Sequence, residues 1–154
     1  ALSTAGALYS FGAGVYGCLG HGDDANQLMP KCIEALSAVR AVHASVGMAS
    51  SLVVDDTGGV HSFGLGKKGV LGHGDKTDKH TPTRIDALEG VRIVRACAGD
   101  GVSLLSDAAG GVHVTGSDGR FLGSRGVSTV NARVGVAGLS GVHVVDAALS
   151  GDYA

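Results

Sequence analysis

Hydrophobic and polar positions alternate in short runs along this chain. Residues 39–46 alternate loosely, and Ser51-Leu52-Val53-Val54 follows as a β-prone run. Asp55-Asp56-Thr57-Gly58-Gly59 then separates it from Val60-His61-Ser62-Phe63. Two such runs around a glycine-containing loop predict a hairpin. The same hairpin is written again at Ser103-Leu104-Leu105, Asp107-Ala108-Ala109-Gly110-Gly111 and Val112-His113-Val114-Thr115. A fourth short run opens at Pro30 and again at Pro82, predicting an outer strand with proline at its first position, where the missing donor faces solvent. Glycine interrupts every helical window before three turns can form.

These elements recur with a fixed period. Tyr9-Ser10-Phe11-Gly12 returns as His61-Ser62-Phe63-Gly64, and Leu19-Gly20-His21-Gly22-Asp23 as Leu71-Gly72-His73-Gly74-Asp75, each 52 residues on. Pro30, Leu36, Val39, Val42 and Gly47 return as Pro82, Leu88, Val91, Val94 and Gly99. A period of this order marks a repeat architecture. The chain divides into about three units, near 6–58, 59–110 and 111–154, forming one all-β domain of 154 residues. The third unit is degenerate: Phe121-Leu122-Gly123-Ser124 stands where Leu-Gly-His-Gly stood, and Asn131 takes the proline position.

Composition narrows the function classes. A formal net charge of −2 provides no electrostatic footprint for nucleic acid or an anionic membrane. Twenty-seven glycines fit many tight turns between short strands. Cys18, Cys32 and Cys97 are odd in number and lack a CxxC spacing, so a reducing compartment, cytoplasm or nucleus, is expected.

The repeating unit Gly-x-Val-His-Ser-Phe-Gly, Gly-x-Leu-Gly-His-Gly-Asp, Pro, Leu, Val, Gly resembles the regulator-of-chromosome-condensation repeat over residues 6–149. The resemblance implies a partial β-propeller of four-stranded antiparallel blades. It implies the outer half of one blade, two full blades and the innermost strand of a fourth, at 142–148. A ring of seven blades at this period would need about 364 residues. Some positions depart from the family pattern. Ser50 and Val102 stand where a histidine is usual, and Phe11, Phe63 and Thr115 stand where tryptophan is usual. The absence of tryptophan sets the chain apart from light-sensing relatives. Kelch propellers share a diglycine like Gly58-Gly59, but their downstream tyrosine and tryptophan are missing here.

Several motifs look chemical. Gly12-Ala13-Gly14-Val15-Tyr16-Gly17 and Gly64-Leu65-Gly66-Lys67-Lys68-Gly69 both spell GxGxxG. Pyrophosphate binding needs a helix N-terminus directly afterwards, and two more glycines within five residues forbid one. No nucleotide or other cofactor is expected. His21 and His73 are expected to bond loop backbone, and His61 and His113 to face outward like Tyr9. No metal-binding spacing and no Ser-His-Asp set emerges, so no metal site and no catalytic residue is assigned. Asp55, Asp56 and Asp107 suit hairpin turns.

One stretch breaks the repeat in charge. Lys67, Lys68, Lys76, Lys79 and Arg84 form the candidate partner-binding loop, where the first unit carries Asp23-Asp24. The resulting expectation is a non-enzymatic protein-interaction scaffold. Its partner would be another protein, with the remaining blades or self-association covering its ends. Alternatives implied by the resemblance are part of an exchange factor for a Ran-like small GTPase and the propeller module of a ubiquitin ligase.

Overall fold

The computed structural model describes residues 1–116, 132–133, 142–144 and 149. Residues 145–148 of the strand expected at 142–148, and most of the degenerate third repeat, lie outside the described residues. Among the described residues ten strands form three antiparallel sheets, each with neighbours in sequence order. The first holds β1 (Tyr9–Gly12) and β2 (Gln27–Cys32). The second runs β3 (Ala41–Val46), β4 (Ser50–Asp55), β5 (Val60–Gly64) and β6 (Lys79–Arg84). The third runs β7 (Ile93–Ala98), β8 (Val102–Asp107), β9 (Val112–Gly116) and β10 (Ala132–Arg133). This is the expected half blade followed by two four-stranded blades. Among the described residues the only helical turns are three-residue 3-10 segments.

The alternation within β4 explains the stacking. Successive side chains on a strand point to opposite faces. Val53 joins Leu8, Ile33, Leu36, Ala41 and Phe63 against the first blade. Leu52 and Val54 join Val60, Ile85, Leu88, Ile93, Ala96, Ala98 and Leu105 against the third. Every residue of β4 is therefore buried, as in strands covered on both faces. The inner strands are also tied directly. His43 Nε2 donates to the Ala96 carbonyl at 2.8 Å, and the Ala98 amide to Ser45 Oγ at 3.0 Å.

Pro30 and Pro82 occupy the fourth position of β2 and β6, not the first. Proline is accommodated there because the outermost strand has a partner on one side only and the ladder shifts register nearby, between Ser10 and Gly12 and between Ser62 and Gly64. The repeat continues beyond the third blade. The Ile93 amide donates to the Gly58 carbonyl and the Val144 amide to the Gly110 carbonyl, so Val144 stands where a fourth inner strand would begin.

Candidate functional site

Two sets of polar side chains repeat blade by blade. Ser10 Oγ donates to the Leu19 carbonyl and meets His21 Nε2 at 2.9 Å. Ser62 Oγ donates to the Leu71 carbonyl and meets His73 Nε2 at 2.8 Å. A hydroxyl has one proton. The carbonyl takes it, so the ring nitrogen donates to the serine oxygen. The histidines thus brace their loops through a serine rather than through backbone, correcting the sequence reading. Burial, reinforced by Lys79, holds the His73 ring below its ordinary value. His21 is lowered in the same way, by burial and then Lys31.

The second set sits at the hairpins. Asp55 Oδ1 accepts the Thr57 and Gly59 amides, and Oδ2 faces His61 Nε2 at 3.2 Å. Asp107 accepts the Ala109 and Gly111 amides and faces His113 Nε2 at 2.8 Å. All four side chains are buried. His61 and His113 therefore face inward to a carboxylate, not outward as expected. The reason is local: the strand leaving the turn brings its second residue over the aspartate that caps that turn. Burial alone would raise both carboxyls, but the hydrogen bonds outweigh it and hold them below the ordinary range.

The GxGxxG segments offer little to a phosphate. The Gly14 amide is taken by Asn26 Oδ1, the Gly17 amide by Asp24 Oδ1 and the Gly66 amide by Asp78 Oδ1. The chain's own side chains fill the role an anion would play. Asp24 Oδ1 also meets His80 Nε2 of the next blade at 3.1 Å. Among the described residues no group of three His, Cys, Asp or Glu side chains could hold a metal ion. No helix there is long and apolar enough to cross a membrane.

The candidate basic loop divides in space. Lys79 pairs in register with Gly64, at the end of β5 next to Lys67 and Lys68, whereas Arg84 pairs with His61. Five residue-to-residue steps, about 17 Å at roughly 3.3 Å each, separate the two ends of β6. The Arg84 guanidinium lies beside the Asp55 carboxylate, both close over Gly59. Lys67, Lys68, Lys76 and Lys79 thus share one rim and Arg84 belongs to the other. Asp75 accepts from Lys79 at 2.9 Å and from the Thr77 amide, and Asp78 from Gly66.

Beside that rim lies a cleft of about 330 Å³, lined among others by Tyr16, Met48, Leu65, Lys67, Lys68 and Asp100. Met48, in the β3–β4 turn, is 81% exposed. Lys68 lies flat over Gly101, where a Cβ would stand 2.7 Å from Lys68 Cδ. Tyr16 and Lys68, 52 residues apart, both hold left-handed backbone, with φ of 58° and 65°. They are the only non-glycine residues with positive φ among those described. Such a conformation costs about 1–3 kcal/mol where glycine would be at ease. Sequence reasoning missed Tyr16 and Met48. The signal was present, because each breaks the repeat: tyrosine against Lys68, and methionine against Asp100.

Comparison with known proteins gives four findings. The regulator of chromosome condensation (RCC1) repeat matches residues 5–54 and 57–105. The chain is 36% identical over 147 residues to the human E3 ubiquitin-protein ligase HERC2, covering 94% of this chain and 3% of that protein. In structure it is similar to Prp20p from Saccharomyces cerevisiae, with a TM-score of 0.64, 25% identity, and coverage of 75% of this chain and 30% of that one. It is also similar in fold to human WBSCR16, with a TM-score of 0.72 at 24% identity, covering 85% of this chain and 35% of that one. The chain thus spans a small part of the ligase and about a third of each solved propeller.

Proposed function

We propose that this chain, which belongs to the regulator of chromosome condensation (RCC1) repeat family, is a protein-interaction module that meets its partner at the rim formed by Lys67, Lys68, Lys76 and Lys79. The observation that carries this reading is where the repeat is broken. The turn scaffold around Gly66 and Asp78 matches that around Gly14 and Asn26. Yet Val15-Tyr16 has become Lys67-Lys68, and Asp24 has become Lys76. Residues that every blade needs stay fixed, and rim positions that no blade needs are open to binding.

The test is affinity capture from extract with the wild-type chain and with the double variant Lys67→Glu/Lys76→Glu. Proteins retained by the wild type and lost by the variant support the rim as contact surface. Identical sets would remove it.

A second reading is guanine-nucleotide exchange on a Ran-like GTPase, favoured by the likeness to Prp20p, which has been described with its binding to Gsp1p and histones. Release of fluorescent GDP from a Ran-type GTPase, with and without the chain, tests it. Unchanged release rates would count against exchange by this part of the ring. The ubiquitin-ligase alternative rests on the likeness to one segment of HERC2; here the chain would supply binding and another domain the transfer chemistry.

A further inference from the structure

We infer that the cleft between Tyr16, Met48 and the Lys67–Lys68 turn receives an acidic peptide segment carrying one apolar side chain, an inference that rests on the protein-interaction reading and gives the partner its chemistry. The wall is apolar where Tyr16, Met48 and Leu65 line it, and the cleft is about 330 Å³, near the lower end of the range for specific small sites, roughly 300–1,000 Å³. An exposed methionine beside a half-exposed tyrosine is an adaptable apolar surface that can follow the shape of an incoming side chain.

Charge sets the rest of the ligand. The acidic groups of the adjoining loop are engaged within it: Asp75 by Lys79 and the Thr77 amide, Asp78 by the Gly66 amide. Lys67 and Lys76 are exposed, and the backbone at Lys76 and Thr77 lies directly against Gly66, beside Lys67. Residues 67–79 hold four lysines against Asp75 and Asp78, a formal net charge of +2 with His73 neutral, and Lys67 and Lys76 present it to solvent. Asp100, in the β7–β8 turn, also lines the cleft, next to Gly101 over which the Lys68 side chain lies. A bound carboxylate is drawn towards the exposed Lys67 and Lys76.

Backbone conformation supports the same assignment. Tyr16 and Lys68 hold left-handed conformations that glycine would adopt freely. Both large side chains line this one cleft.

The experiment uses the full chain and a fluorescein-labelled peptide, a dozen residues of Asp and Glu around a single Phe, read by fluorescence anisotropy. Two probes run beside it: the same peptide with Ala for Phe, and a single-stranded DNA oligonucleotide of equal charge. Saturable binding is expected, weakened about fivefold or more by the Ala peptide and by Lys67→Glu. Tyr16→Gly should weaken binding while the thermal midpoint stays level or rises, a combination that a purely structural role for Tyr16 would not produce. Absence of binding, equal binding of the Phe and Ala peptides, indifference to Lys67→Glu, or tighter binding of the DNA would each overturn the inference. Should the peptide fail while extract proteins are still lost from Lys67→Glu/Lys76→Glu, the ligand chemistry is wrong and the interaction rim stands. Should extract capture ignore that variant, the rim itself is wrong.

Discussion

The ring of Phe63 lies on Gly20 of the preceding blade, where a Cβ would stand 2.9 Å from Phe63 Cε2. Thr115 repeats the contact on Gly72, with its Cγ2 at 3.0 Å from the same hypothetical atom. One relationship recurs at both blade boundaries: a strand residue seated on the glycine of its neighbour's loop. Ser51 Oγ donating to the Cys18 carbonyl, and Ser103 Oγ to Val70, accompany it.

Gly72 has a φ of +82°, so a branched side chain there meets both a strained backbone and a filled space. Gly72→Val should destabilise the chain by about 1–3 kcal/mol, and Gly20→Val by a similar amount. Urea unfolding followed by circular dichroism measures this. A midpoint equal to the parent's would show that the seat tolerates a side chain.

Phe11 is the repeat equivalent of Phe63, yet it is 54% exposed where Phe63 is 2% exposed. Leu28 and Met29 on β2 are exposed beside it, at 96% and 76%. An apolar surface of this kind favours association. The 154-residue chain expressed alone should self-associate or bind a hydrophobic dye, and Phe11→Ser/Leu28→Ser should reduce both without lowering the thermal midpoint. Sedimentation velocity with dye titration is the check. A monodisperse monomer that binds no dye would mean that this face is covered in solution.

Acid should weaken the fold in a defined window. Asp55 and Asp107 have carboxyls lowered in the folded state, so the unfolded chain binds protons more readily. Their stabilisation is complete well above the unfolded value of about 3.9 and is lost as pH falls through the lower folded value. His73, lowered by burial, adds an earlier loss as pH drops below about 6.5, where the unfolded ring takes its proton first. Asp107→Asn should cost about 1–3 kcal/mol at neutral pH and flatten the steep acid limb. Urea midpoints from pH 7 to pH 3 test both; an unchanged limb in the variant would exclude Asp107 as its source.

Neither GxGxxG segment should bind GTP, ATP or NAD, because Asn26, Asp24 and Asp78 already hold the amides of Gly14, Gly17 and Gly66. Isothermal titration at millimolar nucleotide should show no saturable heat. A micromolar dissociation constant would require those side chains to leave their amides.

The blade order was implied by the family resemblance, whereas the run pattern and the 52-residue period by themselves determined the hairpins and the glycine-rich turns. Each depends on contacts within one repeat, and a motif repeated at fixed spacing needs only its own turn chemistry to form. The rim was partly legible too, because Lys67 and Lys68 break the repeat. Tertiary structure decided the rest. His61 is an exception: its inward turn follows from its own hairpin, whose pairing sets it over Asp55. Arg84 parts from Lys79 because the two end a strand whose length only the ladder shows. Tyr16, Met48 and Lys68 come from two blades and separate turns, and they line one cleft only because rigid sheets stack face to face. Stacking turns a distance along the chain into adjacency across a blade boundary, and no spacing within a single repeat encodes that.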